Sequence, residues 1–393
     1  MRDAQKADAT VTQTTIANLV IGGGPAGSML ALRLADSGRP VTVLEKEKTA
    51  HPKVCGEFLS REAVEYLHRA GISPCALGAV PIDRVRLSSG KSLVESPLPF
   101  RALSLSRQIL DEAMLQRARD VGCEVRRGTC VGELEREGDG WRAALRGGAT
   151  LRAQTVFLAT GKHDLRGWAR GSGVQSDLIG FKLHWRLRPA QTELLRGAME
   201  LFLFPGGYGG LALVEREVAN LCLVVQRRRL QAEGGWTNLL EALRRGNRHL
   251  QERLVGGEPL WERPLAISPI PYGYLANETR GVWRVGDQAA VIPSFTGDGM
   301  SIAMHSAALA AQMYLEGRSI DEFNRTLHMQ LHRGMQIATK VSRGLVTDLG
   351  RSLAPLALAI LPGGMRWIAA ATRIPEGALA EIRVWLQEGS APG

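Results

Sequence analysis

The sequence has few cysteines, few aromatic residues and no long apolar run. Its five cysteines include no C-x-x-C pair, so neither a disulfide framework nor a zinc site is indicated. Residues 1–15 are polar and lack the apolar core of a signal peptide. The most apolar C-terminal stretch is far shorter than the roughly 20 residues that a membrane-spanning helix needs. These absences argue against a secreted scaffold and a membrane-spanning protein, and they predict a cytoplasmic protein with no metal.

The charge balance is basic, with 49 Lys and Arg against 39 Asp and Glu and a net charge of +10. The basic residues are spread along the chain and form no stripe interleaved with aromatic residues, so nucleic acid is not an expected partner. An anionic cofactor, an acidic carrier protein or an anionic membrane surface remains compatible with the excess. The 393 residues, 45% of them hydrophobic, indicate a globular protein of one large or two modest domains.

Residues 16–45 read as strand, glycine turn, helix and strand. Gly22, Gly24 and Gly27 form a G-x-G-x-x-G, in which they permit a tight turn, close approach to a pyrophosphate and close helix packing. The helix N-terminus offers unpaired N–H groups to the phosphates. Glu45, at the end of the second strand, is placed to accept hydrogen bonds from a ribose 2′-OH and would repel a 2′-phosphate. Neighbouring residues expected to contact the same dinucleotide are Pro25, Ala26, Ser28 and Lys46.

The remaining pattern divides the chain into a nucleotide-binding domain and an insertion. Residues 156–161 (VFLATG) return as a buried strand after a three-stranded meander, and residues 281–287 (GVWRVGD) return after a strand-rich stretch. The predicted parts are an N-terminal extension (1–15), a nucleotide-binding domain (16–177, with an excursion at 74–104), a β-rich domain (178–280), the return of the first domain (281–343) and a C-terminal helical segment (344–393).

Several separated motifs carry a family resemblance. They are GGGPAGS at 22–28, Glu45, KVCGE at 53–57, Arg107 with Asp111, VFLATG, and GDQAAVIPSFTGDGMSIAMHSA at 286–307. In this order they resemble the flavoprotein superfamily of geranylgeranyl reductases, class A aromatic hydroxylases and flavin-dependent halogenases, with the geranylgeranyl reductase-like branch nearest. The resemblance implies an α/β fold: a Rossmann-type FAD-binding domain of the para-hydroxybenzoate hydroxylase/glutathione reductase type, with an inserted antiparallel sheet and helices for the substrate.

The resemblance also implies roles along the FAD. Asp287 would accept hydrogen bonds from the ribityl chain, and Arg33 would lie beside the pyrophosphate. Arg107 would lie along the cofactor, although a solvated helix face is nearly as plausible for it. Gly297 and Gly299 would bring N–H groups to the flavin N1–C2=O edge, where reduced flavin is negative. Further predicted FAD contacts are Gly161 and Met300.

The KVCGE loop is the most informative stretch for chemistry. In related reductases a cysteine of this loop lies near the isoalloxazine, so Cys55 is predicted to give a proton to the carbon skeleton when hydride leaves the flavin. The alternative is a small buried hydrophobe under a glycine turn. Glu57 either contacts flavin or substrate or orders the loop, and His305 is expected to be a packing residue.

The expected substrate is a hydrophobic small molecule, of prenyl, lipid or aromatic polyketide type. Trp185, Phe204 and Tyr208 fall where this architecture places its substrate, with core packing as the competing explanation. The C-terminal stretch LAPLALAILPGGM at 353–365 could form a lid, a lipid-tail groove or a peripheral membrane contact, with internal packing as the alternative.

Two reactions remain open from the sequence: reduction of an isoprenoid double bond, and O2-dependent hydroxylation of an aromatic ring. A flavin-bearing redox sensor without turnover is the third hypothesis. No W-x-W occurs, which places halogenation well behind. No second dinucleotide fingerprint occurs either, so NAD(P)H would bind transiently or another protein would supply electrons. Lys162, His163 and Arg166 could meet NAD(P)H phosphates or lie in a solvated loop.

Overall fold

The computed structural model of the chain describes residues 15–277, 280–360 and 363–379. Apart from Thr15, the predicted N-terminal extension lies outside the described residues, as does the part of the predicted C-terminal segment from residue 380 onwards. The strands in chain order are β1 (Ile16–Ile21), β2 (Val41–Glu45), β3 (Phe58–Leu59), β4 (Val80–Ser89), β5 (Ser92–Ser104), β6 (Glu124–Arg127), β7 (Val131–Glu137), β8 (Gly140–Leu145), β9 (Thr150–Leu158), β10 (Leu178–Arg186), β11 (Gly197–Phe204), β12 (Gly207–Leu213), β13 (Val218–Gln226), β14 (Glu258–Pro259), β15 (Leu265–Ile267), β16 (Tyr274–Leu275), β17 (Trp283–Arg284) and β18 (Ala290–Val291).

The α-helices of the described ranges alternate with these strands and then close the chain. They are α1 (Pro25–Asp36), α2 (Arg61–Arg69), α3 (Arg107–Asp120), α4 (Pro189–Leu195), α5 (Arg227–Ala232), α6 (Trp236–Gly246), α7 (Arg248–Leu254), α8 (Gly299–Leu315), α9 (Ile320–Leu345), α10 (Asp348–Ile360) and α11 (Gly364–Ala371). None of the helices in these ranges combines the length and the apolar character that a membrane crossing requires.

The first sheet has seven strands in the order β6-β2-β1-β9-β8-β7, with β17 also paired to β9. The central strand β1 runs parallel to both β2 and β9, and its side chains are buried on both faces. Val20 packs into the core formed with α1, α3 and α8, whereas Leu19 and Ile21 pack on the opposite face with Trp141 and Trp168. The predicted Rossmann-type α/β domain is therefore confirmed.

Strand β9 combines two elements that were predicted as separate, the last strand of the three-stranded meander and the strand at 156–161. The structure has one continuous strand whose first half pairs antiparallel with β8, at Trp141 and Ala153. Its second half pairs parallel with β1, at Ile21 and Leu158. No glycine or proline interrupts residues 153–156, so nothing in the backbone requires a break there.

The second sheet has nine strands in the order β14-β10-β13-β12-β11-β4-β5-β3, with β15 also paired to β10. Its β10 to β13 ladder is antiparallel, as predicted for the insertion. The excursion predicted within the nucleotide-binding domain belongs to this sheet instead, because β4 pairs parallel with β11. Helices α4, α6 and α7 cover one face, where Leu195, Leu239 and Leu250 form a core. The opposite face of the sheet lines a cavity.

The C-terminal helices connect the nucleotide-binding domain with the second sheet. Helix α9 begins at a capping box, in which Ser319 and Glu322 satisfy each other's backbone N–H groups. Its far end reaches the second sheet, where Ser342 Oγ lies 3.3 Å from the Tyr208 hydroxyl. Helices α10 and α11 then pack against β5 and α9. This arrangement places the C-terminal helices over the space between the two sheets.

Candidate active site

One continuous cavity of about 910 Å³ connects the two domains. Its first part, here called the channel, starts at the carboxyl ends of β1, β2 and β9 and runs to the start of α8. Its second part, the chamber, lies between the second sheet and the C-terminal helices. Apolar residues that line the chamber include Leu87, Leu201, Leu345, Ala354 and Met365.

The glycine turn builds the start of the channel. Gly22 has φ +113°, and its N–H donates to the Leu44 carbonyl at 2.8 Å. A Cβ on Gly27 would lie 1.9 Å from the Gly22 carbonyl oxygen, so only glycine lets α1 approach the strand this closely. At Gly24 a Cβ would instead project into the channel, 3.4 Å from the Arg107 guanidinium. No side chain caps α1, so its N–H groups are presented to an anion there.

Glu45 is fixed at the wall of the channel by the backbone around it. Its Oε2 accepts the Gly23 N–H and its Oε1 accepts the Glu47 N–H, both at 3.0 Å. Each carboxylate oxygen keeps a further lone pair for a ligand hydroxyl. Of the other predicted contacts, Pro25, Ala26 and Lys46 line the channel. Gly27 and Ser28 lie behind the turn, where the Ser28 hydroxyl donates to the Gly23 carbonyl at 3.2 Å.

Arg33 does not lie beside the channel, contrary to the expectation from the resemblance. It sits in the last turn of α1 and pairs with Asp36 at 3.3 Å. A rise of 1.5 Å per residue places it about 13 Å along the helix from Gly24, so it cannot reach a pyrophosphate bound at the N-terminus.

A cationic cluster takes the position expected for Arg33. The Arg107 guanidinium holds Asp111 through two hydrogen bonds of 2.7 and 2.9 Å, and Lys53 Nζ donates to the same carboxylate at 2.9 Å. Burial alone would lower the pKa of Arg107, but the Asp111 charge outweighs it and keeps that pKa above its ordinary range. Two cations therefore share one carboxylate beside the glycine turn. The Arg107 side chain is only 12% exposed in this cluster and does not lie on a solvated helix face.

The far end of the channel is a second helix N-terminus. Gly297 adopts φ +74°, and α8 begins at Gly299 with no side-chain cap. A Cβ on Gly299 would meet no atom within 4 Å, so open space lies before these N–H groups. Asp287 and Met300 line the same end, and Lys162 Nζ lies 3.7 Å from Asp287 Oδ2. This end can hold a planar group that carries negative charge when reduced.

Asp298 ties this helix start to the C-terminal segment. Its carboxylate accepts a hydrogen bond of 2.6 Å from Arg373 and one of 3.1 Å from the Thr372 hydroxyl. Burial raises the pKa of Asp298 to about 6, even though the Arg373 charge acts in the opposite direction. The residues that follow α11 are therefore anchored beside the cradle formed by Gly297 and Gly299.

Cys55 lies on the loop where the channel meets the chamber. Its Sγ accepts the Glu57 N–H at 3.3 Å and lies beside the Arg107 guanidinium. Asn220 donates to the Cys55 carbonyl at 3.1 Å, and Lys162 donates to the Val54 carbonyl at 3.2 Å, so both domains hold the loop. The thiol is only partly buried, and it lines the cavity.

Glu57 is engaged by protein donors on every side. It has φ +60° and is fully buried; Oε1 accepts the Arg107 N–H at 2.8 Å and pairs with the Lys182 ammonium. His184 Nε2 lies 2.9 Å from Oε2. Burial would raise the pKa of Glu57, but the Lys182 charge and the His184 contact outweigh it and lower that pKa. These contacts favour the loop-ordering role that the sequence left open.

Lys182 and His184 were not found by sequence reasoning. The signal was present in FKLHW at 181–185, where polar side chains occupy alternate positions of an otherwise apolar strand. A buried lysine requires a partner, and the Glu57 carboxylate on the KVCGE loop is that partner.

Two of the three predicted substrate residues lie on the wrong face of the second sheet. On β10, Trp185 packs into the helix-covered core with Phe181, whereas Gly180 lines the cavity. On β11, Phe204 shares the same core, whereas Leu201 lines the chamber. Strand side chains alternate between faces, so one position decides between core and cavity, and local sequence does not fix that choice.

Tyr208 does line the chamber, and it belongs to a buried hydroxyl cluster. Its hydroxyl approaches Ser342, which in turn donates to Gln175 at 2.8 Å. Tyr272 donates to Ser294 at 2.8 Å, beside the same group. These hydroxyls form a polar patch in a mainly apolar chamber, close to residues 294–297 that precede α8.

His163 and His305 have different environments. His163 lines the channel with Lys162 and Arg166. Burial, followed by the charges of Lys46 and Lys162, lowers the pKa of His163 and favours its neutral form. His305 lies between the Tyr66 hydroxyl and Gln330, each at 2.8 Å, and burial lowers its pKa to about 4. These contacts are those of a neutral packing histidine.

Comparisons with known proteins agree with this geometry. The sequence model of the FAD binding domain family matches residues 15–162. A menaquinone reductase of Mycolicibacterium smegmatis is 26% identical over 82% of this chain and 83% of its own length. A digeranylgeranylglycerophospholipid reductase of Methanocaldococcus jannaschii is 24% identical over 78% of each chain. The chain is an FAD-dependent oxidoreductase.

Solved structures of flavin-dependent halogenases share the fold of this flavoprotein. The flavin-dependent brominase Bmp2 superposes with a TM-score of 0.76 at 18% identity, over 95% of this chain and 99% of its own. Halogenase PltM gives a TM-score of 0.73 at 14% identity. At these identities the likeness establishes the fold alone.

The residues of this flavoprotein fit FAD along the whole channel. The uncapped start of α1 and the Lys53–Arg107 cluster suit the pyrophosphate, and Glu45 suits the adenosine ribose. The open space before Gly299 suits the flavin ring. Gly161 also lines the channel and accepts a hydrogen bond of 2.9 Å from Gln288. Among the described residues, no group of three or more His, Cys, Asp or Glu is arranged to hold a metal ion.

Proposed function

We propose that this flavoprotein reduces a carbon–carbon double bond of a hydrophobic molecule of prenyl or lipid type. The observation that carries the proposal is the position of Cys55, whose thiol lines the cavity where the FAD channel opens into the apolar chamber. Support comes from the relatives, which are named as reductases of menaquinone and of digeranylgeranylglycerophospholipid.

The proposed step needs one hydride and one proton. Reduced FAD supplies the hydride when bound. Cys55 Sγ gives its proton to the neighbouring carbon, so two C–H bonds form and the C=C π bond is lost. The remaining thiolate lies beside the Arg107 guanidinium, which stabilises its charge until solvent returns a proton.

The chamber would position the substrate for this step. Its apolar wall, including Leu87, Leu201 and Leu345, would bury a hydrocarbon chain and exclude water. The hydroxyls of Tyr208 and Tyr272 would hold a polar end, such as a quinone carbonyl or an ether oxygen, beside residues 294–297. In this arrangement a double bond of the substrate's hydrocarbon chain would lie near Cys55.

The electron donor is proposed to be NAD(P)H that binds transiently. Lys162 and Arg166 both line the channel, and Arg166 is also exposed to solvent. Cations at this position can bind the phosphates of a dinucleotide. His163, whose neutral form is favoured, would add a hydrogen-bonding group without further charge.

Anaerobic product analysis tests the proposed reaction. The FAD-loaded protein is incubated with a chemical reductant and either menaquinone or digeranylgeranylglycerophospholipid. The mass of the lipid is then measured by mass spectrometry. The proposal predicts a product that is heavier by two hydrogens for each double bond reduced, forms without O2 and keeps the added mass after exposure to air, which returns any menaquinol to the quinone. A product that appears only in air and carries an added oxygen would establish hydroxylation instead. If no candidate lipid or aromatic compound is converted while FAD stays bound, the non-catalytic redox sensor is favoured.

A further inference from the structure

We propose that α10 and α11 dock this flavoprotein on a lipid bilayer with anionic headgroups. The docking face consists of four large apolar residues that are solvent-exposed: Leu349 (71%), Leu353 (48%), Leu356 (57%) and Trp367 (61%). The three leucines follow the i, i+4, i+7 spacing of one helix face. Vesicle binding does not depend on the proposed reaction, so each can fail without the other.

The docking face stands out from the rest of the described surface. The other large apolar residues exposed there are separated along the chain; they are Leu93, Val174, Leu194, Val255 and Met329. Only the docking face gathers several of them on two consecutive helices. Grouped exposed apolar residues on a folded protein mark an interaction surface, whereas scattered ones need no explanation.

The helices that carry the docking face are apolar on their inner side as well. Ala354 of α10 and Met365, Ile368 and Ala369 of α11 line the chamber. The two helices therefore separate an apolar chamber from an apolar outer face. A hydrocarbon chain that passes between them would leave a bilayer and enter the chamber without crossing bulk water, and this continuity favours lipid as the occupant.

Charge complementarity selects an anionic bilayer. Residues 340–373 contain five basic residues and a single acidic one, Asp348. Lys340 and Arg343 near the end of α9 and Arg366 of α11 are exposed, although Arg366 also lines the cavity, whereas Arg373 is turned inwards to Asp298. Basic groups around an apolar helix face are the pattern of interfacial helices that bind anionic lipids. A tryptophan such as Trp367 suits the headgroup boundary, because its ring is apolar and its N–H can remain hydrated.

Vesicle co-sedimentation of the FAD-loaded protein tests the proposal. Vesicles of phosphatidylcholine with phosphatidylglycerol are compared with vesicles of phosphatidylcholine alone. We expect the wild type to sediment with the anionic vesicles, and added salt to weaken that binding because it screens the basic residues. The double variant Leu353→Glu/Leu356→Glu should bind at least about tenfold more weakly, since it removes buried apolar area and adds negative charge.

The matched control is Leu194→Glu/Met329→Glu, which changes two exposed apolar residues elsewhere and should bind like the wild type. FAD content and circular dichroism check folding. If Leu353→Glu/Leu356→Glu loses FAD, Trp367→Gln gives the same comparison at one site.

Absence of wild-type binding to anionic vesicles would overturn the proposal, as would equal weakening by the control. Equal binding to both vesicle types would overturn its electrostatic part. A stable dimer that Leu353→Glu/Leu356→Glu dissolves would assign the docking face to a second copy of the chain.

Discussion

The cysteines of this flavoprotein differ in what surrounds their thiols. Burial raises the pKa of Cys222 to about 12 and that of Cys123 to about 11, so both thiols retain their protons at neutral pH. Cys55 instead lies beside the Arg107 guanidinium and lines the cavity, where a cation can stabilise the thiolate left after proton donation. The catalytic assignment at the residue scale therefore depends on position and on one charged neighbour.

Replacing Cys55 tests this assignment. Cys55→Ala should slow double-bond reduction by about 10²- to 10⁴-fold, the range that a positioned acid supplies. FAD content should stay unchanged, because the thiol is not part of the glycine turn or the α8 cradle. Single-turnover product formation under anaerobic conditions is the measurement, and Cys75→Ala, which changes an exposed cysteine, is the control. Undiminished turnover by Cys55→Ala would end the proton-donor role.

Asp298 should give stability a defined pH dependence. Burial raises its pKa to about 6, above the value of about 3.9 expected in the unfolded chain. The folded state then binds the proton more tightly, so the contribution is complete below the unfolded pKa and is lost as pH rises through about 6. Asp298→Asn should remove this pH dependence. In the wild type it amounts to up to about 3 kcal/mol of unfolding free energy between a pH well below 3.9 and a pH well above 6.

Urea unfolding of the wild type and Asp298→Asn at successive pH values measures the difference. Arg373 keeps Glu62 as a partner at 3.4 Å in the variant. His305, whose low pKa makes stability rise over a similar pH range, is present in both proteins and cancels. Unfolding free energies that run parallel from about pH 4 to about pH 7 would contradict the raised pKa of Asp298.

At the scale of elements, two helix starts far apart in the chain face one cavity. Helix α1 begins after Gly24 and α8 begins at Gly299, and neither has a side-chain cap. Their partial positive charges would favour the two parts of FAD that carry negative charge, the pyrophosphate in its middle and the reduced flavin ring at one end. The cofactor therefore completes helix ends that the protein leaves open.

Gly24→Ala separates cofactor binding from folding. Gly24 has φ −78°, which alanine adopts freely, and the added Cβ would be no closer than 3.4 Å to any protein atom outside the adjoining residues. It would enter the pyrophosphate position, so the FAD dissociation constant should rise about 10- to 100-fold, the equivalent of about 1–3 kcal/mol of overpacking.

Fluorescence titration of the FAD-free protein measures that constant, and thermal unfolding of the same FAD-free sample should be nearly unchanged. The control Gly147→Ala, in an open turn at a residue that does not line the cavity, should alter neither quantity. Unchanged FAD affinity in Gly24→Ala would place the pyrophosphate elsewhere.

Local sequence predicted the elements whose determinants lie close together in the chain. The β1–α1–β2 unit follows from the glycine spacing and the apolar strands, and Glu45 lies at the predicted strand end. Pairing between distant strands was not predictable in the same way. The parallel contact between β4 and β11, which draws the 74–104 excursion into the second sheet, depends on residues more than 100 positions apart.

The candidate site shows the same division. Cys55 and Glu57 belong to a short motif and were found, whereas Lys182 and His184 act through a partner about 125 positions away. Trp185 and Phe204 were misplaced because the facing of a strand is set by what covers it. Tertiary packing decided each of these cases.

At the scale of the whole molecule, the FAD channel and the chamber form a single cavity between two sheets and the C-terminal helices. The nucleotide-binding domain supplies the channel, the second sheet supplies Tyr208 and Leu201, and α9 to α11 close the chamber. Because the spaces are continuous, a substrate in the chamber can approach the flavin without leaving the protein. We propose that electrons pass directly from reduced FAD to a prenylated lipid held in this chamber.

Flavin absorbance under strictly anaerobic conditions tests that claim most directly. The FAD-loaded protein is reduced chemically, freed of excess reductant and mixed with digeranylgeranylglycerophospholipid, which has no quinone ring that could accept the electrons in place of a double bond. The account predicts that the absorbance of oxidised flavin returns without O2, in proportion to the lipid consumed. Flavin that stays reduced with every prenylated lipid, and reoxidises only when air is admitted, would contradict it.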